Sequence, residues 1–100
     1  MYDVEKLARV LDGLSHPLRI LIVVLLADGR ERYLSEIAGA LGVSRALAKI
    51  HLKKMEKVGL VTSKTVLAKE AQALLYFKLV PFELDLSPQK ISKLVKGNNK

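Results

Sequence analysis

The chain has 100 residues, no cysteine and a formal net charge of +7 at pH 7. A chain of this length forms one domain, and without thiols it can hold neither a disulfide nor a thiolate-bound metal. Half of the residues are apolar, which leaves open either a well-filled core or a surface shared with a second copy. The N-terminus carries acids where a secretory signal needs a basic start, and the longest apolar run, Ile20 to Ala27, is too short to cross a bilayer. We therefore expect a cytoplasmic protein that does not enter a membrane.

The positive charge is concentrated in one part of the chain. Residues 45–69 contain seven basic side chains and one acidic side chain, a net charge of +6. Residues 1–44 have a net charge of −1 and residues 70–100 a net charge of +2. A local excess of this kind is typical of a phosphate-binding surface, although a solvated lysine-rich helix face has the same pattern.

The first part of the chain is predicted to be helical. Residues 3–14 have apolar side chains at three- and four-residue steps, which indicates an amphipathic helix. Pro17 suits the first position of a second helix, over about residues 17–28. That helix is apolar nearly all round, so we expect it to be central and buried. Tyr33 and Leu34 are expected to form a short extended segment before the third helix.

Residues 34–61 predict two short helices joined by a tight turn. The first covers residues 34–41, and Gly42 and Val43 form the turn. Ser44 is a suitable N-cap for the second, over residues 44–58, and Gly59 can end it in the left-handed conformation. This arrangement is the signature of a helix-turn-helix, whose second helix fits the major groove of DNA.

A β-hairpin and a last helix are expected after the helix-turn-helix. The strands cover about residues 60–67 and 73–80, and Pro81 stops the pairing of the second strand. The turn between them lacks glycine, asparagine and aspartate, which indicates a loop longer than two residues. Ser87 and Pro88 begin a helix over residues 87–96. The fold class is therefore mainly α with a β-hairpin wing (α+β), a single winged helix-turn-helix over residues 1–100.

The helix over residues 44–58 has two faces at roughly 100° per residue. The inward arc is expected to contain Leu47, Ala48, Leu52, Met55 and Val58, with His51 inside it. Arg45, near the N-terminal end, is the candidate for reading a guanine, because arginine can bond that base bidentately. The candidate DNA-binding residues are Ser44, Arg45, Ala46, Lys49, Ile50, Lys53, Lys54 and Lys57, with Lys64 and Lys69 on the wing.

Two of these assignments have open alternatives. Ile50 falls on the outer face, where it could contact a thymine methyl or pack on the wing or a partner. A small rotation of the helix would instead leave it half-buried. On the wing, Lys64 and Lys69 could contact phosphate or the minor groove, but exposed lysine is also ordinary on a hairpin.

The order of these elements resembles the ArsR-type winged-helix repressors. The matching segments are LSHPLRILIVVLL from Leu14, LSEIAGALGVS from Leu34, HLKKMEKVGLV from His51 and LYFKL at residues 75–79. The resemblance covers roughly residues 4–80 and implies a homodimeric transcriptional regulator, expected to be a repressor. It also implies that the terminal helices, 3–14 and 87–96, are dimerisation elements. The interface residues would be Val4, Leu7, Leu11, Ile91, Leu94 and Val95.

The chain departs from the metal-sensing members of that family. Those proteins use a cysteine pair on the third helix, or Asp, His and Glu residues on the last helix. Here the third helix has no thiol and residues 87–96 contain no Asp, His or Glu. We therefore expect no metal and no cofactor, and the sequence indicates no particular effector. His51 is expected to be structural or phosphate-facing, and His16 a loop or cap residue.

The expected function is sequence-specific binding of double-stranded DNA by a transcriptional regulator. An enzyme is not expected, because the chain has two separated histidines, no glycine-rich phosphate loop and no paired carboxylates in a plausible pocket. Two alternatives are a winged-helix module for protein–protein assembly, whose basic face binds an acidic partner, and a sequence-tolerant chromatin-like DNA-binding protein.

Overall fold

The computed structural model describes residues 3–69 and 72–95. Within those ranges the elements are α1 (Val4–Leu14), α2 (Pro17–Leu26), β1 (Arg32–Tyr33), α3 (Leu34–Leu41), α4 (Arg45–Lys57), β2 (Val61–Leu67), β3 (Ala73–Leu79) and α5 (Pro88–Leu94). The predicted fold class is confirmed: the described part of the chain has five helices and one three-stranded antiparallel sheet. Residue 96, the predicted end of the last helix, lies outside the described residues.

Side-chain caps determine where several helices begin. Ser44 Oγ accepts a hydrogen bond from the N–H of Leu47 at 3.1 Å, and the hydroxyl of Ser87 caps α5 in the same way. His16 Nδ1 accepts from the N–H of Leu18 at 3.0 Å and caps α2. Each cap satisfies an N–H that has no partner inside the helix. The predicted caps at Ser44 and Ser87 and the cap role of His16 are thus confirmed.

The sheet has the strand order β1-β3-β2. Strands β2 and β3 pair antiparallel along their whole length and form the hairpin. The short segment expected before α3 is a paired strand, because Arg32 lies opposite Phe77 and Tyr33 opposite Tyr76. The hairpin is thereby attached to the start of α3 as well as to the end of α4.

The hairpin loop is longer than two residues, as predicted. Strand β2 ends at Leu67, and β3 begins at Ala73. Within the loop, the N–H of Ala68 donates to the carbonyl of Gln72 at 2.7 Å. Residues 70 and 71 of this loop lie outside the described residues.

One hydrophobic cluster joins the first four helices, α1 to α4, to the sheet. It contains Val10, Ile22, Leu26, Ile37, Leu52, Met55, Leu60, Val61 and Phe77. Full burial of a side chain of this size stabilises the folded state by about 1.5–3 kcal/mol. Because two members belong to α4, this cluster also determines which face of α4 remains outside.

The prediction that α2 is central and buried is correct for only one face of the helix. Its one charged residue, Arg19, is 7% exposed, whereas Ile20, Leu21 and Val24 are 54%, 49% and 67% exposed. Helix α2 packs against α1, α3, α4 and β3, and these neighbours cover only one side of it. Its apolar composition therefore reflects an uncovered face as well as a core face.

Arg19 is buried because its guanidinium has polar partners on two other helices. Its Nη1 lies 3.3 Å from Nδ1 of His51 on α4. Its Nη2 donates to the carbonyl of Asp12 on α1 at 3.4 Å. Burial of a charged group is costly unless it is hydrogen-bonded. The two contacts therefore hold α1, α2 and α4 together at one point.

The apolar residues predicted for a dimer interface do not all lie on the surface. Leu7 and Val95 are only 6% and 7% exposed within the single chain. They contribute to the interior of the protomer and leave little surface for a second copy to cover. The other four, Val4, Leu11, Ile91 and Leu94, are exposed or half-buried.

Candidate nucleic-acid interface

Helix α4 has one buried face and one exposed face. Ala48, Leu52 and Met55 are 0% exposed and His51 is 8% exposed. At about 100° per residue these four residues share one arc. The opposite side carries the exposed residues Ala46, Lys49, Ile50, Lys53 and Lys57. The sequence-based orientation of the helix is therefore correct at its centre.

Leu47 departs from that orientation. We expected it to face the domain, but it is 38% exposed. It lies about 90° from the middle of the buried arc, at the margin between the two faces. Val58, also expected on the inward arc, is half-buried and follows the last residue of the helix.

Arg45 lies at the start of α4, on the side that faces the hairpin. It borders a groove of about 500 Å³ that is also lined by Tyr33 and Ser35 near the start of α3 and by Gln72 and Leu74 at the loop end of the hairpin. The start of α4 and the loop end of the hairpin thus border the same surface groove. Ser44, the N-cap of the helix, is exposed immediately before Arg45.

The lysines of α4 do not all belong to one surface. Lys54 and Lys57 border a second groove, of about 390 Å³, together with Arg9, Asp12 and Gly13 of α1. Lys57 is near the middle of the exposed face of α4, whereas Lys54 lies about 70° away from that middle, toward α1. Lys54 is therefore separated from Lys49 and Lys53 by the curvature of the helix.

Glu56 is an important residue that the sequence reasoning did not single out. Its Oε2 accepts from Ser63 Oγ on β2 at 2.7 Å, and its Oε1 lies 3.2 Å from Lys53 Nζ. The hydrogen bond from Ser63, assisted by Lys53, holds the pKa of Glu56 below its ordinary value. The carboxylate therefore links α4 to β2. Glu56 is the sole acidic residue in residues 45–69, and this feature of the sequence could have identified it.

The two wing lysines have different surroundings. Lys64 Nζ lies 3.0 Å from Glu31 Oε2, in the segment before β1, and both side chains are exposed. An exposed ion pair of this kind contributes only about 0–1 kcal/mol, so a phosphate can compete for the lysine. Lys69 is exposed at the loop end of the hairpin.

His51 belongs to the interior and not to the exposed face. Its ring centroid is 4.2 Å from that of His16, and its Nδ1 faces Arg19 Nη1 at 3.3 Å. Burial lowers the pKa of His51, and electrostatic repulsion from the neighbouring His16, Arg19 and Lys54 lowers it further. Of the two roles expected for His51, the structure shows the structural one.

Two kinds of feature are absent from the described ranges, 3–69 and 72–95. No cluster of three or more His, Cys, Asp or Glu side chains there has a geometry that could hold a metal ion. None of the helices in those ranges is both long and apolar enough to cross a membrane.

The chain was compared with known families and structures. The family of bacterial regulatory proteins called the arsR family matches residues 16–63, which include α2, α3, α4 and the start of β2. No curated protein matches the sequence.

Several solved structures have the same fold. One is the homodimeric winged helix-turn-helix DNA-binding domain of a possible ArsR-family transcriptional regulator from Mycobacterium bovis, with a TM-score of 0.65 and 24% identity over 95% of this chain and 76% of that chain. HlyU from Vibrio cholerae has a TM-score of 0.64 and 22% identity over 93% of this chain and 84% of its own. The transcriptional repressor BigR from Xylella fastidiosa has a TM-score of 0.65 and 22% identity over 93% of this chain and 82% of its own. The chain therefore has the winged helix-turn-helix fold, and residues 16–63 within it match the arsR family.

Proposed function

We propose that this protein binds double-stranded DNA sequence-specifically as a homodimer and represses transcription. Helix α4 would enter the major groove, and the β2–β3 hairpin would contact the backbone or the minor groove. The observation that carries the proposal is the separation of faces on α4. Every described side chain opposite the buried arc is exposed, and most of them are basic. The one acidic side chain of residues 45–69, Glu56, accepts a hydrogen bond from Ser63.

Within this proposal, base reading is assigned to the start of α4. The N-terminal residues of a recognition helix usually reach the base edges. Arg45 would bond a guanine bidentately. The hydroxyl of Ser44 uses a lone pair to accept from Leu47, so its proton remains available to donate to a phosphate oxygen.

The lysines are assigned to the DNA backbone. Lys49, Lys53 and Lys57 share the exposed face of α4, and contacts of this kind position the protein without reading sequence. Lys54 would contact phosphate only at the edge of the groove, because it lies toward α1. On the wing, Lys64 would exchange Glu31 for a phosphate, and Lys69 would contact the backbone beyond it.

The homodimer is supported by the exposed apolar side chains and by the homodimeric domain from Mycobacterium bovis. Val4 and Ile91, on the two terminal helices, are 57% and 39% exposed. A second copy that covered them would remove apolar surface from water. A twofold dimer would present two copies of α4 to two half-sites of DNA about one helical turn apart. The repressor role follows the resemblance, and BigR is a transcriptional repressor.

Selection of bound duplexes from a random pool tests the whole proposal. We expect enrichment of a twofold-symmetric site, because each subunit of a dimer reads one half. Binding is then measured by mobility shift with the selected site and with random duplex at several salt concentrations. A failure to shift any duplex at low salt would contradict DNA binding and would favour an acidic protein partner. Equal affinity for selected and random duplexes would instead support a sequence-tolerant DNA-binding protein.

A further inference from the structure

The exposed face of α4 has an apolar strip in the middle of its basic side chains. Ile50 is 54% exposed, and Ala46, one helical turn earlier, is also exposed. Residues four apart on a helix lie next to each other along its surface. The two side chains therefore form a continuous strip that has no hydrogen-bond donor or acceptor.

Core packing places this strip in the middle of the exposed face. The middle of the buried arc is occupied by His51 and Met55 on one side and by Ala48 and Leu52 on the other. At about 100° per residue, Ile50 lies within about 30° of the direction opposite that middle. The reading in which a rotated helix half-buries Ile50 is therefore excluded, because the residues across the helix from it are covered.

Lysines lie on both flanks of Ile50, and Lys57 follows it along the same face about two turns later. Lys49 and Lys53 are on one side of it and Lys54 is on the other. If the flanking ammonium groups are bound to phosphates, Ile50 points at the floor of the groove between the two strands. The small side chain of Ala46 allows the helix to approach that floor closely.

An isoleucine in this position can make a favourable contact with only one feature of the major groove. The C5 methyl of thymine is the apolar group on the groove floor, and apolar side chains pack against it. Over a G·C pair the same side chain would cover the polar groups of guanine and cytosine without supplying a hydrogen bond, which is unfavourable. Both effects favour an A·T pair.

We propose that Ile50 is a specificity-determining residue that reads a thymine methyl, so that each half-site of the DNA carries a thymine opposite Ile50. This inference rests on the proposed function, since it requires α4 to lie in the major groove. It adds a second base contact to the proposed function. Arg45 would read guanine at the start of the helix, and Ile50 would read thymine at its middle. The two positions are separated by about 7.5 Å along the helix axis, or about two base-pair steps.

Replacement of thymine by deoxyuridine tests the proposal, because it removes the methyl group and leaves the base pairing unchanged. Each thymine of the selected duplex is replaced in turn, and the dissociation constant is measured at one salt concentration. For the wild-type protein we expect one thymine per half-site at which the replacement weakens binding about fourfold, the effect of one buried methyl group. Replacement in both half-sites should weaken binding about sixteenfold.

Two variants distinguish the contribution of Ile50 to DNA binding from that of the other exposed residues of α4. For Ile50→Ala, deoxyuridine should bind as well as thymine at that position, because the side chain that contacts the methyl is gone. For the matched surface variant Lys53→Ala, overall binding should weaken while the fourfold penalty remains. Both residues are exposed, and a thermal melt of each variant confirms that it is folded.

Several results would overturn the proposal. It is wrong if the selected half-sites contain no thymine, if no deoxyuridine replacement affects the wild type, or if Ile50→Ala keeps the full penalty. In these cases the protein still binds the selected duplex, so the proposed function stands. If the wild type binds no duplex at all, both the inference about Ile50 and the proposed function are wrong. A loss of binding to an acidic protein on Ile50→Ala, with no DNA binding, would assign the strip to a protein partner.

Discussion

The guanidinium of Arg19 on α2 lies 3.3 Å from Nδ1 of His51 on α4, and both side chains are buried. Arginine can only donate a hydrogen bond, so Nδ1 of His51 must be the acceptor and carries no proton. Protonation of His51 would place a second positive charge against a buried guanidinium. The contact that holds α4 from inside the domain therefore needs a neutral imidazole.

Acidification should destabilise the fold in a pH range set by His51. In the folded protein the pKa of His51 is lowered from the ordinary value of 6.5. At a pH between the lowered pKa and 6.5, the unfolded chain therefore binds more protons than the folded chain. The free energy of unfolding must then fall as pH falls through about 6.5. We expect the Tm at pH 5.5 to be below that at pH 7.5.

The variant His51→Gln isolates this effect, because glutamine can still accept from Arg19 but does not titrate. Its Tm should change less than that of the wild type between pH 7.5 and 5.5. Asp28, held by the backbone N–H of Arg30, and Glu56, held by Ser63, also have lowered pKa values. Their ordinary values are 3.8 and 4.5, so their contribution is lost only at lower pH. An unchanged pH dependence in His51→Gln would refute the assignment.

Arg45→Ala should reduce sequence discrimination more than overall affinity. A bidentate arginine–guanine contact contributes about 1–3 kcal/mol of discrimination, so the ratio of affinities for selected and random duplex should fall about 5- to 150-fold. Arg45→Lys keeps the charge but loses the planar fork, and it should lose most of the same discrimination. If the ratio stays constant across a salt series in both variants, Arg45 does not read a base.

Lys49→Ala and Lys53→Ala should weaken binding to all sequences alike, but to different extents. Each free lysine that contacts a phosphate changes the slope of log K against log salt concentration by about 1. Lys53 is paired with Glu56 at 3.2 Å, whereas Lys49 has no ion-pair partner among residues 3–69 and 72–95. We therefore expect the larger change of slope for Lys49→Ala. Lys93→Ala on α5 is the control for a lysine outside the basic segment and should leave the slope unchanged.

Gly13→Ala should destabilise the protein, because α1 passes close to the end of α4. A Cβ at Gly13 would lie 2.5 Å from Val58 Cγ2 and 3.0 Å from Leu60 Cδ1. Overpacking of this kind typically costs about 1–3 kcal/mol. Gly39→Ala is the matched control in α3, since no atom beyond its chain neighbours and the backbone of its own helix lies within 4 Å of its Cβ position. It should stabilise the helix by about 0.5–1 kcal/mol. Urea unfolding of both variants measures the difference, and equal stabilities would show that α1 can shift away.

The sequence by itself determined the local structure of this protein. Hydrophobic periodicity and the caps at Ser44 and Ser87 depend on residues within one or two turns, so the helices could be assigned without tertiary contacts. The turns at Gly42 and Gly59 have φ values of 72° and 83°, which glycine adopts without a side-chain clash. The basic segment and the outer position of Ile50 followed from composition and helical geometry alone.

Only the tertiary structure decided which faces are covered. The composition of α2 predicts burial, but the helix has neighbours on one side, and its exposed residues Ile20 and Val24 could not be identified from its own sequence. The contact between Arg19 and His51 joins residues that are 32 positions apart, and the short strand β1 exists only because β3 lies beside it. These features depend on where other elements lie, because burial and strand pairing are properties of two surfaces, and a sequence pattern describes only one of them.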